Sequence, residues 1–469
     1  MTVASRAVES VADARRVSVW LDRAGASCPD AVDGLWSHEV STDLLVVGAG
    51  LTGLWAAIEA AAAGRQVLVV DADVVGAGAS GRCGGFINAS VTHGIPHGHQ
   101  RWPDEMPAIV ALQTALWEDT LKLLADYGLG EAIEPCGKLT VATRPHQVDA
   151  LRQSVELFQR YGQRAQLLDA DELRTLVASP TYLGGYHLLD GNGLCDPVRY
   201  ALALARIAAA RGARLIQRVQ VTGLDEGAGV VVARTATGAL ITARQVLLAT
   251  NAYPPLRRRL RHLVIPVYDH VIATAPLTDR EWAAIGWHER VGVTDAGNQF
   301  HYYRPTPDGR ILFGGWDATY HLGGRVDARL EDRPATHRLL AEHLVQTFPA
   351  LDGIEITHAW GGPIDSTTRF APTFGTAMSG RLAWALGYTG LGVGASRFGA
   401  LVALDLLEGR ETERTRLSMV RRSPMPFPPE PIRWPVVWWT KRALAAEDRT
   451  GRRGWWLRLL DRLGVGFTT

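Results

Sequence analysis

The chain has 469 residues, enough for two domains or three, and its 47% apolar and 21% charged residues are ordinary for a soluble globular protein. A formal net charge of +1 excludes the basic footprint of a nucleic-acid binder, and four scattered cysteines (Cys28, Cys83, Cys136, Cys195) without a CxxC pair argue against a disulfide framework or structural zinc and for a reducing, cytoplasmic compartment. No stretch reaches the ~18 uninterrupted apolar residues of a membrane span, and the amino terminus, with Glu9, Asp13, Arg15 and Arg16, lacks a signal peptide's apolar centre.

Residues 1–40 are mixed and polar and read as an extension lying over the main fold. Residues 44–47 form an apolar run ending in glycines, 51–63 are helix-forming with Gly64 placed to end the helix, and 66–70 are a second apolar run. That is strand, glycine turn, helix, strand: one βαβ unit. Residues 76–99 read as a glycine- and histidine-rich loop, too long for a simple connector and so functional. Helices are expected over 105–127 and 146–160, with a strand at 138–143 between them. A helix over 197–211 is capped by Asp196 and opened by Pro197. Short strands follow at 215–221, 230–236 and 246–249, then a β-rich block over 265–313 and a helix over 335–348. A strand at 382–386, a glycine turn and a helix from about Ser396 to Leu407 precede a tail rich in Pro, Arg and Trp.

Gly48-Ala49-Gly50-Leu51-Thr52-Gly53 matches GxGxxG. It follows a strand, opens a helix, and is followed by a strand ending in Asp71, 18 residues beyond Gly53. Gly48 permits the tight turn, Gly50 lets backbone approach a pyrophosphate, and Gly53 lets helix and strand pack closely. The helix N-terminus offers free N–H groups to phosphate, and Asp71 is suited to a ribose hydroxyl. An ordinary glycine turn would lack this assembly of parts. The motif alone does not separate NAD from FAD.

Gly76-Ala77-Gly78-Ala79-Ser80-Gly81-Arg82-Cys83-Gly84-Gly85 resembles the GASGRNGG segment of flavin amine oxidoreductases in the D-amino-acid oxidase superfamily, with Cys83 in place of the usual Asn. The chain is most similar to the gamma-glutamylputrescine oxidoreductase-like branch. The similar blocks are Ser18-Val19-Trp20-Leu21, Tyr302-Tyr303-Arg304-Pro305-Thr306-Pro307-Asp308-Gly309-Arg310, Trp360-Gly361-Gly362-Pro363-Ile364-Asp365 and Gly387-Tyr388-Thr389-Gly390-Leu391-Gly392-Val393.

The resemblance implies an α/β fold, with a Rossmann-like FAD-binding domain (41–100, 181–264 and 356–410) interleaved with a β-rich α+β substrate domain (101–180 and 265–355). An extension (1–40) and a tail (411–469) flank them. It implies FAD contacts from Gly48, Gly50, Leu51, Thr52, Gly53, Asp71 and Ala72, and from Ser80, Gly81, Arg82, Cys83, Gly84 and Gly85. Val219 and Ala249 join them, as do Gly387, Tyr388, Gly390, Gly392 and Val393 at the start of a second helix, whose dipole suits negative charge on the flavin. Monomeric sarcosine oxidases tether FAD to a cysteine in a region where this chain has none, since no cysteine lies between 196 and 469; FAD is therefore expected to be non-covalent. Their oxygen-activating lysine has no counterpart among 305–320, which leaves oxygen or another acceptor open. Glycine oxidase-like members carry a carboxylate-binding arginine near 360–365, where this chain has Ile364.

The implied reaction is hydride transfer from the carbon next to an amine to flavin N5, followed by hydrolysis of the imine. An alkyl ammonium of pKa near 10 is only ~0.1% neutral at pH 7, a deficit of about 4 kcal/mol, and a desolvated aromatic pocket favours the neutral form. Tyr268, Tyr302, Tyr303, Trp360 and Tyr388 are aromatic candidates, any one of them equally readable as core. Asp365 reads either as an ammonium-attracting group or as a turn carboxylate, and Arg304 either as a carboxylate-binding fork or as a partner of Asp308. Tyr302, Arg304, Trp360, Asp365 and Tyr388 form the expected catalytic set. His93, His97 and His99 are expected to be access-loop residues rather than metal ligands. The tail tryptophans are expected to pack on the body or a second subunit rather than on a membrane surface. Alternative functions are an oxidase of D-amino or N-methyl amino acids, a flavin monooxygenase using NAD(P)H, and a non-catalytic nucleotide binder.

Overall fold

A computed structural model describes residues 5–25, 28–34 and 39–466. Among them the chain forms a nine-stranded sheet, an eight-stranded sheet and a two-stranded ribbon. In the first sheet Ala31–Asp33, Arg214–Gln217, Val67–Val70, Glu39–Val47 and Leu240–Leu248 run parallel in that order. The sheet then forks. The first half of Leu240–Leu248 pairs antiparallel with Val231–Thr235, which pairs with Val221–Glu226; the second half pairs parallel with Leu382–Leu386, itself antiparallel to Thr373–Ala377. Leu44 to Val47 and Val67 to Val70 are buried without a polar break because both faces are covered. Helices Leu51–Ala62, Pro197–Ala210 and Gly392–Leu407 cover one face, and the side chains of the outer strands cover the other.

The second sheet runs Ile356–Ser366, Ile265–Thr274, Ile311–Gly315, His301–Pro305, Gly292–Asp295, Lys138–Ala142, Gly184–Leu188, Ala165–Leu168. Its pairs are antiparallel except Gly292–Asp295 with Lys138–Ala142. One face packs on helix Pro334–Thr347 through Leu340, Ala341 and Leu344. Register aligns Val271, Gly314, Tyr302, Thr294, Thr140 and Tyr186 across the other face, which looks into a cavity between the sheets.

Several expectations change. The strand Ile356–Ser366 pairs with Ile265–Thr274 along its length, so it belongs to the second sheet and the expected boundary at 356 falls too early. Gly184–Leu188 likewise pairs in the second sheet, which moves the boundary drawn at 181. Pairing partners decide membership, and those lie far away in sequence. The extension contributes an edge strand, Ala31–Asp33, rather than lying only over the fold. The expected 215–221 strand splits at Arg218, whose φ of +60° turns the chain out of the parallel core. Residues 76–99 are no single loop. They hold the turn Ala79–Arg82, the strand Phe86–Asn88 that pairs with Asn192–Leu194, and the start of helix Gly94–Arg101. The tail folds into helices Arg433–Thr450 and Trp455–Arg462. No helix among the described residues is long and apolar enough to cross a membrane.

Candidate active site

The glycine turn has the shape its sequence demands. Gly48 sits at φ +110°, and a Cβ there would lie 2.5 Å from the Ala249 carbonyl oxygen; a Cβ on Gly53 would lie 1.8 Å from the Gly48 carbonyl oxygen. Gly50 is the N-cap of helix Leu51–Ala62 and supplies no side-chain cap of its own. Ser80 Oγ accepts instead from the Leu51 N–H at 3.2 Å, tying the 76–85 segment to the helix N-terminus. Asp71 accepts from the Ala49 N–H (2.6 Å) and the Asp73 N–H (2.9 Å), and burial pushes its carboxyl up to about 6. It braces the turn while standing at the expected ribose position, next to exposed Ala72. The Val219 N–H is already given to the Asp71 carbonyl (2.7 Å), so a contact to adenine through that N–H is not available in this conformation.

The carbonyls of the 81–85 segment are held from outside. Ser18 Oγ donates to Gly81 (2.7 Å), Trp360 Nε1 to Arg82 (2.9 Å), Trp20 Nε1 to Cys83 (2.9 Å) and Arg304 Nη1 to Gly85 (2.8 Å). Arg304 also donates to the carbonyls of Cys195 (2.6 Å) and Pro305 (3.1 Å), lies 5.3 Å from the Trp20 ring, and is only 1% exposed. Its fork is spent on backbone. It neither faces the cavity nor pairs with Asp308, which Arg23 and Arg310 hold at 3.0 and 2.8 Å. Trp360 is 2% exposed and packs with Val19, Trp20 and Val198. Both were expected to be catalytic, and both instead anchor the segment. Arg82 pairs with Glu331 (3.0 Å). Cys83 donates to the Ser80 carbonyl (3.3 Å), and burial pushes its thiol up to about 11, so it is a poor nucleophile.

Asp365 lies in the strand Ile356–Ser366 rather than in the expected turn, and its carboxylate braces the turn at 387–389. Its carboxylate accepts from the N–H groups of Gly387 (2.5 Å) and Tyr388 (3.1 Å), its carbonyl accepts from Thr389 (2.9 Å), and burial pushes its carboxyl up to about 7. Tyr388, also expected to act on substrate, accepts a hydrogen bond from Thr52 Oγ1 (2.9 Å) and is 4% exposed; it ties the two cofactor-facing helices together. Helix Gly392–Leu407 begins at Leu391 without a side-chain cap, and Gly390, Leu391, Gly392 and Val393 line the cavity. His93 Nε2 bonds to the Thr389 carbonyl (2.9 Å) and His99 Nδ1 to the Tyr161 hydroxyl (2.8 Å). The three histidines belong to or adjoin a helix. No group of three or more His, Cys, Asp or Glu among the described residues is placed to hold a metal.

Of the expected catalytic set, Tyr302, Asp365 and Tyr388 line the cavity, and Tyr302 does so from the second sheet. Its ring covers Gly84 and Gly314, where a Cβ would come within 2.5 and 2.6 Å of it. Its hydroxyl donates to Asp269 Oδ2 at 2.6 Å. Burial pushes the Asp269 carboxyl up to about 6 against that hydrogen bond. Sequence reading missed Asp269, although one signal was there: in an apolar strand it shares a face with Val267 and Val271 at two-residue spacing, and all three line the cavity. Tyr268 and Tyr303 are buried on the other side of their strands, Tyr303 bonded to Tyr182 at 2.8 Å.

The cavity encloses about 1550 Å³, above the ~300–1,000 Å³ usual for a single small ligand. It runs from Gly50, Leu51 and Thr52 past Ser80 to Gly85 and reaches the second sheet. Its glycine-cleared turn, the helix N-termini at Leu51 and Gly392 and the side-chain-braced segment fit a dinucleotide carrying a flat ring, with room left for a second molecule. Trp434, Trp438 and Lys441 of the tail also line it. Asp448 accepts from the N–H groups of Asn298 (2.8 Å) and Gln299 (2.7 Å), and Lys441 pairs with Asp317.

Residues 43–405 match the family model described as FAD dependent oxidoreductase, DAO. The gamma-glutamylputrescine oxidoreductase of Escherichia coli (strain K12) is 31% identical over 382 residues, covering 80% of this chain and 85% of that one. A probable oxidoreductase OrdL of Haemophilus influenzae is 29% identical over 384 residues, covering 78% and 83%. Among solved structures, glycine oxidase from Geobacillus kaustophilus superposes with a TM-score of 0.64 at 24% identity, covering 80% of this chain and 96% of that one. Iminodiacetate oxidase from Chelativorans sp. BNC1 superposes with a TM-score of 0.65 at 20% identity, covering 81% and 98%.

Proposed function

This chain belongs to the DAO family of FAD-dependent oxidoreductases, and from that premise we propose that it oxidises a small primary or secondary amine held by Asp269 and Tyr302. Bound FAD supplies the two-electron acceptor for the C–H bond beside nitrogen, and oxygen or another acceptor regenerates it. Gly48, Gly50 and Gly53 with the first turn of Leu51–Ala62 hold its pyrophosphate, Asp71 its ribose, and residues 80–85 and 387–393 its ring. The binding is non-covalent: Cys83 is the cysteine in the braced segment, and its protonated, backbone-bonded thiol is not disposed to form a thioether.

The carrying observation is the Asp269–Tyr302 pair on the cavity wall. A carboxylate attracts an ammonium ion, and one whose own pKa is raised towards neutrality is a better proton acceptor than an ordinary aspartate. Tyr302 fixes the carboxylate's orientation, and the apolar surround of Val267, Val271 and Phe86 favours the neutral amine. The Escherichia coli relative is named for gamma-glutamylputrescine, an amine derivative, which agrees with this reading. A panel of primary and secondary amines, assayed for peroxide and for reduction of an artificial dye, tests it. Turnover of at least one amine with either readout is expected; silence across the panel, with turnover only on addition of NAD(P)H and an aromatic, would replace amine oxidation by hydroxylation.

A further inference from the structure

Beyond residue 405, where the family match ends, the tail presents a surface that the cavity does not account for. Trp439 and Trp455 are 51% and 69% exposed instead of packing on the body, and neither lines the cavity. On helix Arg433–Thr450, Trp434, Trp438 and Arg442 follow one another at four-residue spacing. Trp434 stacks on Trp438 at 6.4 Å, the Trp439 ring lies 6.4 Å from that of Trp438, and the Arg442 guanidinium lies 4.4 Å from the Trp438 ring. On helix Trp455–Arg462 the exposed residues are Trp455, Arg458, Leu459, Arg462 and the adjoining Leu463, one face at three- and four-residue spacing, while Leu457 and Leu460 are buried opposite. Trp456 Nε1 donates to Thr440 Oγ1 (3.0 Å), so the two helices are joined at these aromatics.

The charge of this segment has one sign. Residues 431–469 hold eight Lys and Arg against three Asp and Glu, a net of +5, whereas the rest of the chain holds 41 against 45, a net of −4. The three carboxylates are spent inside the fold: Glu447 and Asp461 on Arg453 (2.8 and 2.7 Å), and Asp448 on the Asn298 and Gln299 N–H groups. Among the described residues no ion pair holds Arg442, Arg449, Arg452, Arg458 or Arg462. Tryptophan settles at the boundary between hydrocarbon and headgroups, and an arginine beside it reaches the phosphates. A tail-to-tail dimer would instead set these cations against one another, which disfavours it. No helix among the described residues is long and apolar enough to span a bilayer, so the fitting mode is to lie on its surface. We propose that this Trp- and Arg-bearing face docks on an anionic phospholipid bilayer.

The test co-sediments the holoenzyme with vesicles of phosphatidylcholine alone and of phosphatidylcholine mixed with phosphatidylglycerol. Binding to the mixed vesicles is expected, with a blue shift of tryptophan emission and little binding to the neutral ones. It should be lost when salt rises from about 0.1 M to about 1 M, where the screening length falls from about 10 Å to about 3 Å. Trp439→Ser with Trp455→Ser should weaken binding about tenfold or more, and Arg458→Gln with Arg462→Gln about thirtyfold, the share of two cations at an anionic surface. Neither pair lines the cavity, so FAD content should hold in both. Wild-type holoenzyme that stays in the supernatant with the mixed vesicles would overturn the proposal, as would equal binding to both vesicle types. So would a dimer in sedimentation equilibrium that the tryptophan pair dissolves while vesicle binding is unchanged, which would give the face to a second copy.

Discussion

At the scale of single residues, Asp269 is the group to which the proposed reaction assigns the amine, and its environment sets a pH signature. Its ionised form is the one that binds an ammonium ion. With the carboxyl raised to about 6, kcat/KM should fall as pH drops below about 6, rather than holding down to the usual carboxylate range. Asp269→Asn should remove that acid limb and lower kcat/KM by about 10²-fold or more, read from pH–rate profiles with FAD content checked by absorbance. A retained limb in the variant would assign the titration elsewhere. Arg304 predicts the opposite kind of defect. Arg304→Met leaves the buried Cys195 carbonyl unpaired and Gly85 with the Cys195 N–H alone, and should cost about 2 kcal/mol in urea unfolding, with little change in the KM of the surviving enzyme. These residues also show where sequence reading stops. A motif marks Arg304, Trp360, Asp365 and Tyr388 as positions near a flavin. It does not say whether their polar atoms aim at a backbone carbonyl or at the cavity, because that depends on partners hundreds of residues away, such as Gly85 for Arg304.

Among the elements, the glycine helix and the braced segment are those to which the proposal assigns cofactor retention. Gly53→Val puts a branched side chain where even a Cβ would overlap the Gly48 carbonyl, so the variant should be purified without flavin if it folds at all. Trp20→Phe is the gentler probe. It removes the hydrogen bond to the Cys83 carbonyl together with part of a fully buried ring, and should weaken FAD retention about tenfold, measured by flavin fluorescence on dilution, and lower thermal stability modestly. The βαβ unit was legible because its strands are continuous apolar runs and its turn needs glycine. The strand Ile356–Ser366 was not, because Gly361, Gly362 and Pro363 read as breakers. Glycine inside a strand marks close approach, and here a Cβ on Gly361 would meet His270 at 2.8 Å and one on Gly362 would meet Arg82 at 3.0 Å. That strand lies where the cofactor-facing segment and the second sheet touch, so its small residues are what the junction requires.

The whole molecule is two sheets facing one cavity, with the tail lining part of it. The α/β class and the interleaving of two domains were implied by the family resemblance; the place of the tail was not, since a Pro-, Arg- and Trp-rich composition carries no information about which loop it meets. Asp448 fixes that place by capping the Asn298 and Gln299 N–H groups. Asp448→Ala should loosen that edge and raise KM several-fold while leaving FAD content unchanged, as is typical when a closing element is weakened. Acid precipitation of the holoenzyme should release all the flavin into solution, as the non-covalent binding proposed above predicts. The most direct measurement is anaerobic mixing of the yellow holoenzyme with an amine alone, followed by the visible flavin band. The account predicts that the amine bleaches the band with no nicotinamide present. A band that bleaches only with NAD(P)H, or a protein that takes up no FAD, would contradict it.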